Sequence, residues 1–350
     1  MDRAPRFVRI AAALAICTVG GGVCALLHVP LPWMIGSMLA MGSAQMAGAQ
    51  LQPLPGGRDA GMVVVGVALG LYFTAPVVHE IAQYWPWFVA LGVAAIAFGT
   101  LSAFVLARLA RVDRATAFFG SMPGGAADMA LMGERHGAAP ERVALSHSIR
   151  MLFVVTLFPI GITLAGFSAT EEYRPVVVPF SPAGLAILFT AGAIAGALAR
   201  RIGLPTAFML GSLLATIALT VNGVELSSVP TPIVNAAQVL LGCNLGARFD
   251  RGFLASAPRF VMAVIPATAL TMLAAALVGW GLAAGSGVYL GSGLLSAAPG
   301  GIAEMSITAR VLRIGVAFVT AAHVVRYLIV VLLAIPVFRL IDRHRRERRD

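Results

Sequence analysis

A chain of 350 residues that is 59% hydrophobic and only 11% charged, with a mean hydropathy of +0.89, lies far from the roughly 25% charged residues of soluble domains. The composition excludes a water-soluble enzyme or regulator and requires an integral membrane protein. The net charge of +10 does not indicate nucleic acid, because its arginines sit in short loops between apolar runs and in the tail at 339–350, with no aromatic interleaving. All 25 basic residues are arginine.

In chain order, Arg3, Arg6 and Arg9 precede an apolar run from Ile10 to Leu27, which exceeds the core of a signal peptide and reads as an uncleaved first span. Further uncharged runs at Val89–Ala107, Leu185–Leu198 and Val261–Leu282 approach or reach the ~20 residues that cross hydrocarbon. Cys17, Cys24 and Cys243 fall within apolar segments, form no CxxC pair and read as small buried hydrophobes. Gly66-x-x-x-Gly70 and Gly242-x-x-x-Gly246 have the small-residue spacing of close helix contacts. Glu171, Glu172, Arg174 and Pro175 read as an exposed connector.

That connector separates two copies of one unit, residues 1–170 and 171–350, the second carrying the Arg-rich tail. Met34-Ile35-Gly36-Ser37-Met38-Leu39-Ala40 matches Met209-Leu210-Gly211-Ser212-Leu213-Leu214-Ala215. Pro123-Gly124-Gly125, Asp128, His147 and Arg150 match Pro299-Gly300-Gly301, Glu304, His323 and Arg326 at a constant offset of 176. Each copy offers five spans, with the Pro-Gly-Gly element between the fourth and fifth. If that element is re-entrant, ten spans leave twenty arginines on the cytoplasmic side and three outside; if it crosses fully, the split is fourteen to nine. The first arrangement obeys the positive-inside tendency better. Five spans per copy then invert the second copy relative to the first, with both termini cytoplasmic. The expected fold is an all-α polytopic membrane protein of about ten helices plus two re-entrant Pro-Gly-Gly elements.

Proline removes a donor and Gly-Gly opens backbone angles closed to other residues, so a helix entering Pro123 or Pro299 breaks there. Broken backbone in hydrocarbon is tolerated where protein buries it or where it lines a watery cavity, and paired interruptions in two halves point to a transporter site. A kink at a tight helix crossing is the alternative. Asp128 and Glu304 follow their breaks by three residues and fall in the first turn of a new helix, either as ion- or proton-handling groups or as plain caps. His147 and Arg150, like His323 and Arg326, share a helical face. Each Arg is expected to hold a carboxylate or a substrate anion, or to lock the bundle; each His is expected to relay a proton or to pack. The six histidines give no HExxH and no Cys-His cluster, so neither a metal nor a cofactor is expected.

With Met34–Ala40, the two Pro-Gly-Gly-x-x-acid-Met phrases and the two His-x-x-Arg pairs, the chain resembles the AbrB membrane protein family over nearly its whole length. That family carries the labels of an ammonia monooxygenase and of a regulator of gene expression. The first would need metal ligands absent from these residues, so no enzyme is expected. The second implies an indirect effect through transport or sensing, since the small DNA-binding regulator that shares the name has a fold so apolar a chain cannot adopt. The layout also looks like that of ion-coupled carboxylate transporters. The leading expectation is an inner-membrane permease for a small polar or anionic solute; the alternative is a membrane sensor that affects gene expression indirectly. The partners implied are the lipid bilayer, a small-molecule or ion ligand and further copies of the chain, not nucleic acid.

Overall fold

Proline sets the starts of the helices. Pro32, Pro182 and Pro258 are the first residues of theirs, Pro86 and Pro232 the second, positions where the missing N–H costs nothing. The computed structural model describes residues 5–167, 178–249 and 257–346. The expected connector at Glu171–Pro175 and the last residues of the tail lie outside them. Within the first copy the helices are α1 (Arg6–Leu26), α2 (Pro32–Met46), α3 (Gly57–Gly70), α4 (Ala75–Ala82), α5 (Trp85–Ala110), α6 (Arg114–Ser121), α7 (Ala126–Glu134) and α8 (Pro140–Leu164). In the second they are α9 (Pro182–Arg201), α10 (Ala207–Val221), α11 (Thr231–Gly246), α12 (Pro258–Ser286), α13 (Leu290–Ala297), α14 (Ile302–Leu312) and α15 (Val316–Arg346). No strand occurs among the described residues.

Among the described residues six helices, α1, α5, α8, α9, α12 and α15, are long and apolar enough to cross a membrane. A seventh span is obtained if α3 and α4, bent by 88° at their junction, are taken together. The other expected spans correspond to α2, α3, α10 and α11, which have 14 to 16 residues. At 1.5 Å per residue these reach about 21–24 Å, short of a hydrocarbon core of about 30 Å. Only 17% of the α1 span is buried within the protein, so its apolar surface requires an apolar solvent, which the bilayer supplies.

The chain forms two compact units, and each draws on both sequence copies. In the first, residues 1–82, 159–256 and 306–317, α1 packs on α2 and α9 on α10, while α2 packs on α11 and α10 on α3. The matched Met34–Ala40 and Met209–Ala215 segments are the centres of these crossings. A Cβ on Gly36 would stand 2.2 Å from the Gly20 carbonyl oxygen, and one on Gly211 2.6 Å from that of Ala195. The expected Gly-x-x-x-Gly contacts are present as well, since a Cβ on Gly242 would stand 2.5 Å from Met34 O and one on Gly66 2.0 Å from Ser212 Oγ. In the second unit, residues 83–158, 257–305 and 318–350, α12 packs on α5 and α13, and α5 on α6. Ser102 on α5 donates to Ala267 O on α12 at 2.8 Å.

Left-handed residues fall at corresponding positions of the two copies. His28 pairs with Gly203, Leu31 with Thr206, Gly48 with Gly223, Arg111 with Gly287 and Gly137 with Arg313, all at positive φ. Three of these pairs place glycine in one copy and a larger residue in the other, so the conformation persists where the side chain does not favour it.

Candidate functional site

Both Pro-Gly-Gly breaks lie in the second compact unit. In each, a short helix ends just before the proline and a second begins just after the glycines: α6 stops at Ser121 and α7 starts at Ala126, α13 stops at Ala297 and α14 starts at Ile302. A helix that stops leaves its last carbonyls without intrahelical partners. At the first break, α8 supplies donors to these oxygens in succession. His147 Nε2 donates to Phe119 O at 2.9 Å, Ser146 Oγ to Gly120 O at 2.8 Å, and Arg150 Nη1 to Ser121 O at 3.2 Å and Met122 O at 2.8 Å. Arg150 Nη2 reaches Gly124 O at 3.5 Å.

At the second break α15 does the same at the offset of 176. His323 Nε2 donates to Leu295 O at 2.8 Å, Arg326 Nη1 to Ala297 O at 3.2 Å and Ala298 O at 2.5 Å, and Arg326 Nη2 to Gly300 O at 2.8 Å. A cation against the C-terminal carbonyls of α6 or α13 is also favoured by the helix dipole. Both histidines are fully buried and both arginines 3% exposed.

The two members of each pair fix one another. Arg150 Nη2 lies 2.8 Å from His147 Nδ1, and Arg326 Nη2 2.8 Å from His323 Nδ1. Guanidinium donates only, so Nδ1 must accept and the ring proton belongs on Nε2, facing the carbonyl. A second proton on Nδ1 would remove the acceptor and set two cations at contact distance. Of the two roles expected for each His, this arrangement favours packing over a proton relay. Of the partners expected for the Arg side chains, the carboxylates are not the ones engaged: the guanidinium forks grip backbone carbonyls, and neither Arg150 nor Arg326 enters an ion pair among the described residues. The reason is geometric, because their partners lie at the end of the helix before the break and in the break itself, whereas Asp128 and Glu304 lie in the helix after it.

The role expected of the glycines changes too. Gly125 has φ −66° and ψ 133°, and no glycine of either break has positive φ. What these positions require is space. A Cβ on Gly125 would stand 2.2 Å from Asp128 Oδ2, and one on Gly301 2.1 Å from Glu304 Oε2. Each half-buried carboxylate thus folds back over its own glycine, toward the N-terminal end of α7 or α14, where unpaired N–H groups favour negative charge. Cβ atoms on Gly124 and Gly300 would meet the Met129 and Met305 side chains at 2.7 and 2.8 Å.

Tyr327 was not evident from the repeated phrases, because its counterpart 176 residues earlier is Met151 and the two share no chemistry. Its hydroxyl donates to Asp128 Oδ2 at 2.5 Å, so a residue of the second copy ties down the acid of the first. Met151 makes the reciprocal approach, its Cε lying 3.2 Å from the point a Gly301 Cβ would occupy. Both breaks, both acids and both His-Arg pairs therefore belong to one neighbourhood. No group of three or more His, Cys, Asp or Glu side chains suited to a metal occurs among the described residues.

The family described as "Transition state regulatory protein AbrB" matches residues 33–342, which include every residue of this neighbourhood. A Bacillus subtilis (strain 168) protein named "Uncharacterized protein YhjN" is 26% identical over 361 residues, covering 96% of this chain and 94% of that protein. An Escherichia coli (strain K12) protein named "Putative regulator AbrB" is 24% identical over 317 residues, covering 90% of this chain and 91% of that protein. With most of its length matched by one family, and with that family's name on a relative of nearly full coverage, the chain is a member of the AbrB family.

Proposed function

We propose that the protein is an inner-membrane permease of the secondary-transporter type for a small polar or anionic solute, and that its site lies between the two Pro-Gly-Gly breaks. The observation that carries this reading is the reciprocal reach of Tyr327 and Met151, each leaving its own copy to meet the other copy's break. Two interrupted helices brought together in this way make a polar centre out of apolar segments, the arrangement expected of a midplane transport site. The Nε–H groups of Arg150 and Arg326 are both buried and unpartnered, leaving one donor at the same position in each copy for a solute or water. The guanidinium charges of Arg150 and Arg326 and the amino-terminal ends of α7 and α14 favour an anion. The carboxylates Asp128 and Glu304 suit a coupling proton or cation. The matched left-handed residues support a structural duplication, and the arginine distribution supports ten spans with the second copy inverted and both termini cytoplasmic.

The test is flux. Purified protein reconstituted in liposomes is screened for uptake of small anions, carboxylates and ammonium under an imposed proton or sodium gradient. Asp128→Asn and Glu304→Gln should each abolish coupled uptake while the folded protein is retained. Tyr327→Phe, which removes only the hydroxyl, should slow uptake without abolishing it. Unchanged flux in both acid variants would exclude this assignment.

The name "Putative regulator AbrB" on the Escherichia coli relative favours one second reading, a membrane sensor that uses the same pocket and signals through its Arg-rich tail. Truncation after Asp342 separates the two: a sensor loses its effect on gene expression, whereas a permease keeps most of its flux.

A further inference from the structure

A second site lies in the same compact unit, away from the breaks. A cavity of about 530 Å³ opens between α5, α6 and the end of α15. Its α5 wall is the stripe Thr100, Leu101, Phe104, Ala107 and Arg108, one face of a helix. Its floor is Phe118 of α6 against Phe338 of α15, ring centres 5.4 Å apart. From Thr100 to Arg108 the cleft runs about 12 Å along the helix axis.

The two ends of this cleft differ in character. Toward Thr100 the walls are carbon apart from the buried Thr100 hydroxyl, and Leu101 and Phe104 remain 51% and 38% exposed on a span apolar enough to cross a membrane. At the other end stand Arg108 and Arg114, with Arg111 exposed in the turn between them and Arg259 donating to Leu109 O at 3.0 Å. Two acids oppose them. Asp113 accepts from Thr116 N as the cap of α6, and Asp342 lies 3.8 Å from Arg114. Cations remain in excess at the mouth.

We propose that this cleft binds an anionic glycerophospholipid, one acyl chain lying along α5 and the phosphate held by Arg108 and Arg114. Charge complementarity selects the headgroup, since a basic pocket beside a membrane span suits the phosphate of an acidic lipid. The apolar depth selects an acyl chain over a free phosphate. The protein's own tail is an unsuitable occupant, because residues 343–349 carry five arginines, which a basic mouth would repel. The inference requires only that α5 lies in a membrane and is independent of what the breaks transport.

The experiment is native mass spectrometry of the purified full-length protein given equal amounts of dioleoyl phosphatidylglycerol and dioleoyl phosphatidylcholine. The wild type should retain phosphatidylglycerol over phosphatidylcholine by roughly tenfold. Arg108→Gln combined with Arg114→Gln should bring the ratio close to one, Asp342→Asn should raise it, and Ala107→Phe, which fills the cleft, should reduce retention of both lipids. Should the double variant fail to fold, the Asp342 and Ala107 variants carry the test. No preference in the wild type, or an unchanged preference in a folded double variant, overturns the proposal. A change of oligomeric mass in Ala107→Phe with lipid retention unaltered does so as well, since the cleft would then hold a second copy.

Discussion

Arg326 shows how a charge can be buried in an apolar protein without a carboxylate beside it. Three carbonyls, those of Ala297, Ala298 and Gly300, converge on one guanidinium, and the His323 ring receives a fourth bond. The planar fork suits this set, whereas an ammonium offers a single point of attachment. Arg326→Gln should therefore leave buried carbonyls unpaired at about 1–3 kcal/mol each, offset in part by no longer burying a charge. The variant should melt at lower temperature than the wild type in detergent, with Arg326→Lys between them. The same order is expected for Arg150, and a melting temperature unchanged in Arg326→Gln would exclude the clamp. Repetition in the sequence made His147, Arg150, His323 and Arg326 legible as a unit. Their partners were not legible, because a carbonyl oxygen has no letter in the sequence and an Arg three residues from a His gives no sign of which helix end it will meet. Tyr327 was hidden for a different reason: comparison of the copies finds what they share, and the Tyr327–Met151 difference is where they diverge.

At the scale of the helix, glycine governs how closely two elements approach. Gly20 of α1 and Gly36 of α2 meet backbone to backbone, and a Cβ on Gly36 would stand 2.2 Å from the Gly20 oxygen. The obstacle is backbone, so the helices must move apart rather than a side chain rotate. Gly36→Val should cost about 1–3 kcal/mol through overpacking. Gly22, two residues along α1 from Gly20, has no atom within 4 Å of its would-be Cβ. Gly22→Ala should therefore be neutral or stabilise by up to about 1 kcal/mol, as expected of a helical glycine with room around it. Thermal unfolding of the two variants in one detergent checks both, and equal melting shifts would deny the crossing its role. The long spans α1, α5, α9 and α12 were legible because uninterrupted apolar runs of their length have one stable solution in a bilayer. The short α2, α3, α10 and α11 were not, because their apolar runs continue into turns, and only three-dimensional packing settles where a 14-residue helix such as α3 ends.

For the whole molecule the central question is direction. Both compact units combine segments of both copies, so the duplication is one of interlocked halves rather than of two domains in series. In such an arrangement the sense in which each copy enters the membrane determines what its break can face. Arg135, just past the end of α7, and Val311, near the end of α14, stand at corresponding positions 176 residues apart, and both are exposed. If the second copy is inverted, the first lies on the cytoplasmic side and the second on the opposite side. In a background lacking Cys17, Cys24 and Cys243, Arg135→Cys and Val311→Cys should then react with an impermeant thiol reagent from opposite faces of sealed, oriented vesicles: position 311 from outside, position 135 only after permeabilisation. Arg310 and Arg313, the two arginines near position 311 that oppose the positive-inside tendency, make this the critical location. Labelling of both positions from the same face would return the copies to parallel orientation. The two breaks would then open toward one side of the membrane, and the contact between Tyr327 and Asp128 would no longer join the two halves of an alternating site.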